Sequence, residues 1–280
     1  MPRSFAMEKN KYSITFACYN QVEYTKKCID SMLKHGTPLD RVVAVDNASS
    51  DDTLEYLKSL PLGGVIHNAE NLGCGIAWNQ GALHQQAEWT VVMNNDVLVS
   101  AEWIERLIHA AEKHNLKVAS PALVEGPLDY DFDDQSLVWS DRMRDTLRVG
   151  TRHAVCLAVH RSVWHEVGYF QPVPKLLGYE DTLFFSELDK VGIRTAITGA
   201  AWLHHYGSIT QTAMKQERGL SSKQGLANRK NYRLLNQSWL TRKMNKLKRN
   251  RMLNAWREAE LARYGMTLHG KREGGDYHWL

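Results

Sequence analysis

Between residues 12 and 119 the chain repeats one pattern: a short unbroken apolar run that ends on polar residues, followed by a stretch with helical spacing. Tyr12-Ser-Ile-Thr-Phe-Ala-Cys18 runs into Tyr19-Asn20, and Arg41-Val-Val-Ala-Val45 into Asp46-Asn47. Val65-Ile66 is followed by the turn Asn71-Leu-Gly-Cys-Gly75, and Trp89-Thr-Val-Val-Met93 by Asn94-Asn95-Asp96. Between the runs, Tyr24, Cys28, Ile29, Met32 and Leu33 share one helical face, and Leu54, Leu57 and Leu60 another. Further helices are predicted through Leu83 and from Ala101 to about His114, before a strand at Val118-Ala119. Strands that are apolar on both faces cannot border water. They require a mostly parallel sheet with helices on both sides, an α/β fold of Rossmann-like type. Ligands gather at the carboxyl ends of such strands, where Tyr19, Asn20, Asp46, Asn47, Asn71 and Asp96 converge from four segments.

The second half is less regular. Residues 125–147 read as a long loop or hairpin with the acidic tip Asp129-Tyr-Asp-Phe-Asp-Asp134. A strand is predicted over Arg148–His160, a helical turn over Arg161–Val167, a helix over Gly178–Val191, and a strand from Arg194 to Thr198 running on to His205. A formal net charge of +4 hides a strong asymmetry: from Lys223 onward bases dominate, with Arg242, Lys243, Lys246, Lys248, Arg249 and Arg251 closely spaced. No stretch reaches the roughly 18 consecutive apolar residues of a spanning helix, and Met1–Lys11 lacks the apolar core of a secretory signal. The four cysteines form no Cys-x-x-Cys pair and read as buried free thiols. A cytoplasmic protein is expected.

The motifs Ala17-Cys-Tyr-Asn20, Val45-Asp-Asn-Ala-Ser-Ser-Asp51, Asn71-Leu-Gly73 with Asn79, Asn94-Asn-Asp96, Gly178-Tyr-Glu-Asp181 and His204-His-Tyr-Gly-Ser208 stand in that order over residues 12–210. Each alone is weak; together they resemble family 2 glycosyltransferases of the GT-A fold, rhamnosyltransferase-like members included. The resemblance implies an inverting transfer of a sugar from a UDP or dTDP donor to a hydroxyl acceptor, in the synthesis of bacterial surface polysaccharide or lipopolysaccharide. It divides the chain into a catalytic domain over 1–215, with a nucleotide-sugar half over 12–100 and an acceptor half over 101–215, and a basic helical extension over 216–280.

The same resemblance assigns the site. Tyr19, Asn20, Asp46, Asn47, Asn71, Gly73, Asn79, Asn94 and Asn95 surround the donor. Asp96 is the metal ligand retained from an Asp-x-Asp motif whose first acid is here Asn. A divalent cation, Mn2+ or Mg2+, would neutralise charge building on a diphosphate leaving group. His205 or His204 is its second ligand; neighbours in an extended chain point opposite ways, so only one faces the site, and His205 is preferred. Asp181 is the general base that takes the acceptor's proton, and Glu180 orients the acceptor. Relatives carry another acid and an Arg farther along that helix; here Leu183 and Glu187 stand there, so acceptor identity does not transfer. Trp139, Trp164 and Trp202 are candidates for a sugar-stacking floor or for plain packing.

The basic extension leaves three readings: a helix whose apolar stripe packs on the domain or on a second copy as a homodimer, a peripheral contact with an anionic membrane bearing a lipid-linked acceptor, or nucleic acid. The last ranks lowest because no nucleic-acid-binding motif accompanies the bases. Two rival functions also follow from the fold class, a catalytically idle glycan- or membrane-binding module and a sugar-phosphate nucleotidyltransferase. The latter usually has a Gly-rich, basic N-terminal loop, which Tyr19-Asn-Gln-Val does not supply.

Overall fold

The computed structural model of the chain describes residues 10–172, 180–207, 209–217, 219 and 238–280. Its elements in chain order are β1 (Tyr12–Cys18), α1 (Val22–Lys34), β2 (Val42–Asp46), α2 (Thr53–Lys58), β3 (Gly64–His67), α3 (Cys74–His84), β4 (Trp89–Asn94), β5 (Val97–Val99) and α4 (Trp103–Lys113). The second half continues with β6 (Val118–Glu125), α5 (Phe132–Met143), β7 (Leu147–Val149), β8 (Cys156–His160), α6 (Arg161–Glu166), α7 (Glu180–Lys190), β9 (Thr195–His205), α8 (Ile209–Glu217), α9 (Trp239–Tyr264), β10 (His269–Glu273) and β11 (Asp276–Trp279).

The expected α/β class is present. The sheet runs in the order β11-β10-β6-β8-β4-β1-β2-β3, with β9 beside β6 and carrying β5 and β7. Strands β3, β2, β1 and β4 are parallel neighbours. The rest is mixed, because β8 runs antiparallel to both β4 and β6. Ile14, Phe16, Val42, Ala44, Val91 and Met93 pack with Cys28, Ile29 and Met32 of α1 on one face. On the other, Val92, Leu157 and Val159 meet Trp78 of α3 and Phe184 of α7. Helix α3 lies so close that a Cβ on Gly81 would sit 1.8 Å from Thr15 Oγ1, so this contact admits only glycine. All four cysteines are free; three are buried and Cys74 is half-buried.

Three expectations are corrected. Residues 125–147 are not a long loop: Phe132–Met143 is helical, its first turn capped by Asp131, which accepts from the Asp134 N–H at 3.0 Å. Phe132, Ser136, Trp139 and Met143 form the buried face, so the acidic tip is a helix N-terminus, where acids are favoured. The single strand predicted over 148–160 is two, β7 on β9 and β8 between β4 and β6.

Residues beyond 216 are not helical throughout. After α9 the chain turns at Gly274-Gly275, both at positive φ, and the hairpin β10–β11 joins the central sheet along β6. Two positive-φ residues are what a tight hairpin turn needs. The hairpin brings Tyr277 and Trp279 onto Trp139, while Trp139 packs on Trp202 at 5.1 Å between ring centroids. Trp164 stacks on Tyr169 at 5.1 Å. All three tryptophans proposed as a sugar floor are therefore core residues.

Candidate active site

A cleft of about 1950 Å³ opens along the carboxyl ends of β1, β4, β6 and β9. Tyr19, Asn47, Asn71, Asn94, Asn95, Asp96, Glu125, Glu180, Asp181 and His205 all line it. Strand register explains much of this gathering.

Asp96 sits in the turn between β4 and β5. Because β5 pairs with β9 so that Val97 faces His205, the end of β9 arrives beside that turn. His205 Nε2 lies 3.3 Å from Asp96 Oδ1 and 3.4 Å from Asn94 Nδ2. His204 faces the other way, as alternation requires. The Tyr130 hydroxyl hydrogen-bonds with its Nδ1 at 2.9 Å, and Phe132 and Tyr206 pack around its ring. Burial holds His204 down to about 4, so it is neutral. Its candidacy as a metal ligand is corrected: the ring is on the wrong side of the strand.

The sequence reading missed Glu125. Strand β6 runs parallel to β9 with Glu125 directly beside His205, and β10 lies against the other edge of β6. Glu125 Oε1 is 3.4 Å from His205 Nδ1, and Oε2 is 3.5 Å from His269 Nε2. Burial works to lower the His205 pKa, but the two carboxylates, Asp96 and then Glu125, outweigh it and raise the group to about 9. His205 and then His269 hold Glu125 well below the usual carboxylate range. The available signal was position: Glu125 closes a strand at the ligand-binding edge, but β6 was predicted only over Val118-Ala119.

Asp96 Oδ1 is buried, and among the described residues its sole approach is the ion pair with His205 Nε2, without a well-aligned hydrogen bond. Such an atom costs free energy unless something satisfies it. Asp96 and His205 lie close enough to bind one divalent cation together, and a carboxylate plus an imidazole would favour Mn2+ over Mg2+. Among the described residues no cluster of three or more His, Cys, Asp or Glu forms a closed cage. The two groups would suit a divalent cation that neutralises charge on a bound anionic ligand.

The donor candidates divide. Asp46 is fully buried; its cross-strand neighbour His67 donates from Nδ1 to Asp46 Oδ2 at 2.7 Å, and the Ser49 N–H approaches at 3.3 Å. Asn47 donates to the Gly73 carbonyl at 3.3 Å and accepts from Asn68 at 2.8 Å. Asn71 Oδ1 accepts from the Gly73 N–H at 3.0 Å, making the turn that starts α3. Asn95 donates to Thr25 Oγ1 at 2.8 Å and anchors its turn to α1.

Asn79 does not reach the cleft. Its amide is spent on both backbone groups of Phe170, donating to the carbonyl at 2.7 Å and accepting from the N–H at 3.0 Å. Tyr19 and Asn20 both bond Glu217 of α8, at 3.1 and 3.3 Å. Thr210, Gln211 and Met214 of the same helix line the cleft, a wall that falls within the acceptor half expected over 101–215.

Glu180 and Asp181 open α7. A Cβ on Gly75 would come within 3.1 Å of the Glu180 Cβ, so α3 and α7 approach closely there. Asp181 Oδ1 accepts from the Thr182 N–H at 2.6 Å and from its hydroxyl at 3.2 Å. Among the described residues its Oδ2 has no protein partner. Gly178, Tyr179 and Ser208 lie outside the described residues. Leu183 is buried in the core, and Glu187 pairs with Lys190 at 2.7 Å.

Comparisons with known proteins give one family in sequence and one fold in structure. A family model described as Glycosyl transferase family 2 matches residues 13–165. An uncharacterized glycosyltransferase of Rickettsia bellii (strain RML369-C) is 26% identical over 180 residues, which are 60% of this chain and 26% of that protein. Among solved structures, GalNAc-T7 with UDP, GalNAc and Mn2+ aligns with a TM-score of 0.55 at 17% identity, over 71% of this chain and 44% of that one. S. aureus TarS gives 0.54 at 19% identity, over 71% and 37%. The mannosyltransferase PcManGT from Pyrobaculum calidifontis, in complex with GDP-Man and Mn2+, gives 0.53 at 18% identity, over 74% and 60%. The chain thus spans about a quarter of the curated relative's length and about 37–60% of these structures. The likeness to solved structures establishes the GT-A fold, and the family model covers more than half of the sequence: the chain belongs to glycosyltransferase family 2.

Proposed function

We propose that the chain transfers a sugar from a nucleoside-diphosphate donor, UDP- or dTDP-linked, to a hydroxyl acceptor with inversion at the anomeric carbon. The observation that carries this reading is the buried pair of Asp96 Oδ1 and His205 Nε2, 3.3 Å apart, in a cleft that Asp181 also lines. Tyr19, Asn47 and Asn71 form the donor wall, and Asp46 stiffens it through His67. Asp96 and His205 would hold a divalent cation that stabilises charge on the departing diphosphate. Asp181 Oδ2 takes the proton of the acceptor hydroxyl as its oxygen attacks the anomeric carbon, and the bond to the diphosphate breaks on the opposite face. Glu180, one residue earlier, orients the acceptor. The solved neighbours with UDP or GDP-Man and Mn2+ support a nucleotide-sugar site. The acceptor we assign is a growing surface glycan on a lipid carrier.

A thermal-shift panel of UDP, dTDP, GDP and CMP, each with and without Mn2+, tests the reading. A ligand that binds only the folded state raises the melting temperature, by about 2.7 kcal/mol of stability at a hundredfold excess over Kd. A metal-dependent rise with one diphosphate supports the site and identifies the base. No rise with any nucleotide would favour an idle binding module.

A further inference from the structure

The first half of α9 bears an apolar stripe that no described residue covers. Leu240, Met244 and Leu247, spaced i, i+4, i+7, share one helical face and are 58%, 61% and 53% exposed. Arg242, Lys243, Lys246, Lys248 and Arg249 of the same helix line the cleft, whereas the three stripe residues and Arg251 do not. The helix is held at its other end: Glu260 is buried and takes both Nε and Nη2 of Arg148 at 2.7 and 2.8 Å. Isolated apolar side chains on a surface are ordinary, but a continuous stripe marks an interaction face.

Charge selects the partner. From Trp239 to Trp256 there is no Asp or Glu, while Arg242, Lys243, Lys246, Lys248, Arg249 and Arg251 all fall there. A second copy on the same stripe would set these six bases against six more, with no acid to offset them. Nucleic acid would match the charge but leave the stripe in water. An anionic lipid surface satisfies both, with apolar side chains entering the acyl boundary and bases at the headgroups.

We propose that the N-terminal half of α9 docks on an anionic lipid surface, inserting Leu240, Met244 and Leu247, setting Arg251 of the same face among the headgroups, and leaving Lys243 and Lys248, which flank the stripe and also line the cleft, at the membrane boundary. The cleft, which the opposite face of the helix lines, then lies beside the membrane, where a lipid-carried acceptor is presented. That consequence rests on the proposed function; the docking does not.

The test is flotation of the full chain with vesicles of phosphatidylcholine containing phosphatidylglycerol, or of phosphatidylcholine alone. Flotation is expected with the anionic vesicles only and is reversed by high salt. Arg251→Gln, at a position outside the cleft lining, should lower partitioning about fivefold. Leu240→Ser, Met244→Ser and Leu247→Ser together should lower it more than about tenfold, with an unchanged melting temperature since all three are more than half exposed. Absence of flotation, or flotation indifferent to the triple variant, overturns the proposal. So does sedimentation showing a dimer that the triple variant dissolves, which assigns the stripe to a second copy, or RNA binding that the triple variant abolishes.

Discussion

At the residue scale the site turns on two carboxylates in different surroundings. Asp181 keeps Oδ1 tied to Thr182 while Oδ2 has no protein partner among the described residues, which suits a group that must accept a proton from outside the protein. Asp181→Asn keeps the shape and the Thr182 bonds but removes the base. Turnover should fall by about 10²–10⁴, with the donor-induced thermal shift retained; wild-type turnover would remove Asp181 from the mechanism. Glu125 instead faces two imidazoles and orients His205 so that Nε2 meets Asp96. A carboxylate behind a metal-binding imidazole typically contributes 10- to 100-fold to affinity, so Glu125→Gln should weaken Mn2+ binding by about that factor. Electron paramagnetic resonance of free Mn2+ reads this without any turnover, and unaltered affinity would leave Glu125 a bystander.

At the scale of elements, the C-terminal helix and hairpin are tied to the central sheet. Arg148 on β7 reaches across to Glu260 on α9 and to the Leu280 carbonyl, while Glu260 also accepts from the Leu268 N–H at 2.9 Å. Both side chains are almost fully buried. Glu260→Ala leaves a buried guanidinium without its counter-charge, a change that costs about 3–5 kcal/mol. Urea unfolding should show a loss of that size, and a loss below about 1 kcal/mol would mean that water enters and replaces the carboxylate. Loosening of the hairpin that carries His269 should accompany it, seen as faster amide exchange in β10.

For the whole molecule, burial of neutral histidine sets the acid limit. His153 lies under the cleft and is held down to about 4, mainly by burial; His205 and His269 repel its protonated form and Glu125 favours it. Its Nε2–H donates to the Pro121 carbonyl at 2.8 Å. The unfolded chain binds a proton at His153 below about 6.5, whereas the folded chain does so only near 4. Stability therefore falls as pH drops between these values, by up to about 1.4 kcal/mol per pH unit from this group. Replacing His153 with Gln should flatten the denaturation profile across that window, and an unaltered slope would place the acid sensitivity elsewhere.

The sequence by itself determined what depends on local pattern. Apolar runs defined β1, β2, β4 and the covering helices, polar residues at their carboxyl ends marked the cleft edge, and period-two alternation separated His205 from His204. Some local signals were outweighed: the buried face Phe132, Ser136, Trp139 and Met143 was hidden among acids, and Gly274-Gly275 marked a hairpin inside an otherwise basic tail. Tertiary structure alone decided which residues meet across strands and helices. Only the pairing of β9 with β5 and β6 sets His205 between Asp96 and Glu125, only packing commits Asn79 to Phe170 and the three tryptophans to the core, and only the fold leaves the stripe on α9 uncovered by any described residue. The physical reason is that side-chain period is local to a segment, whereas register and burial belong to pairs of segments far apart in the chain.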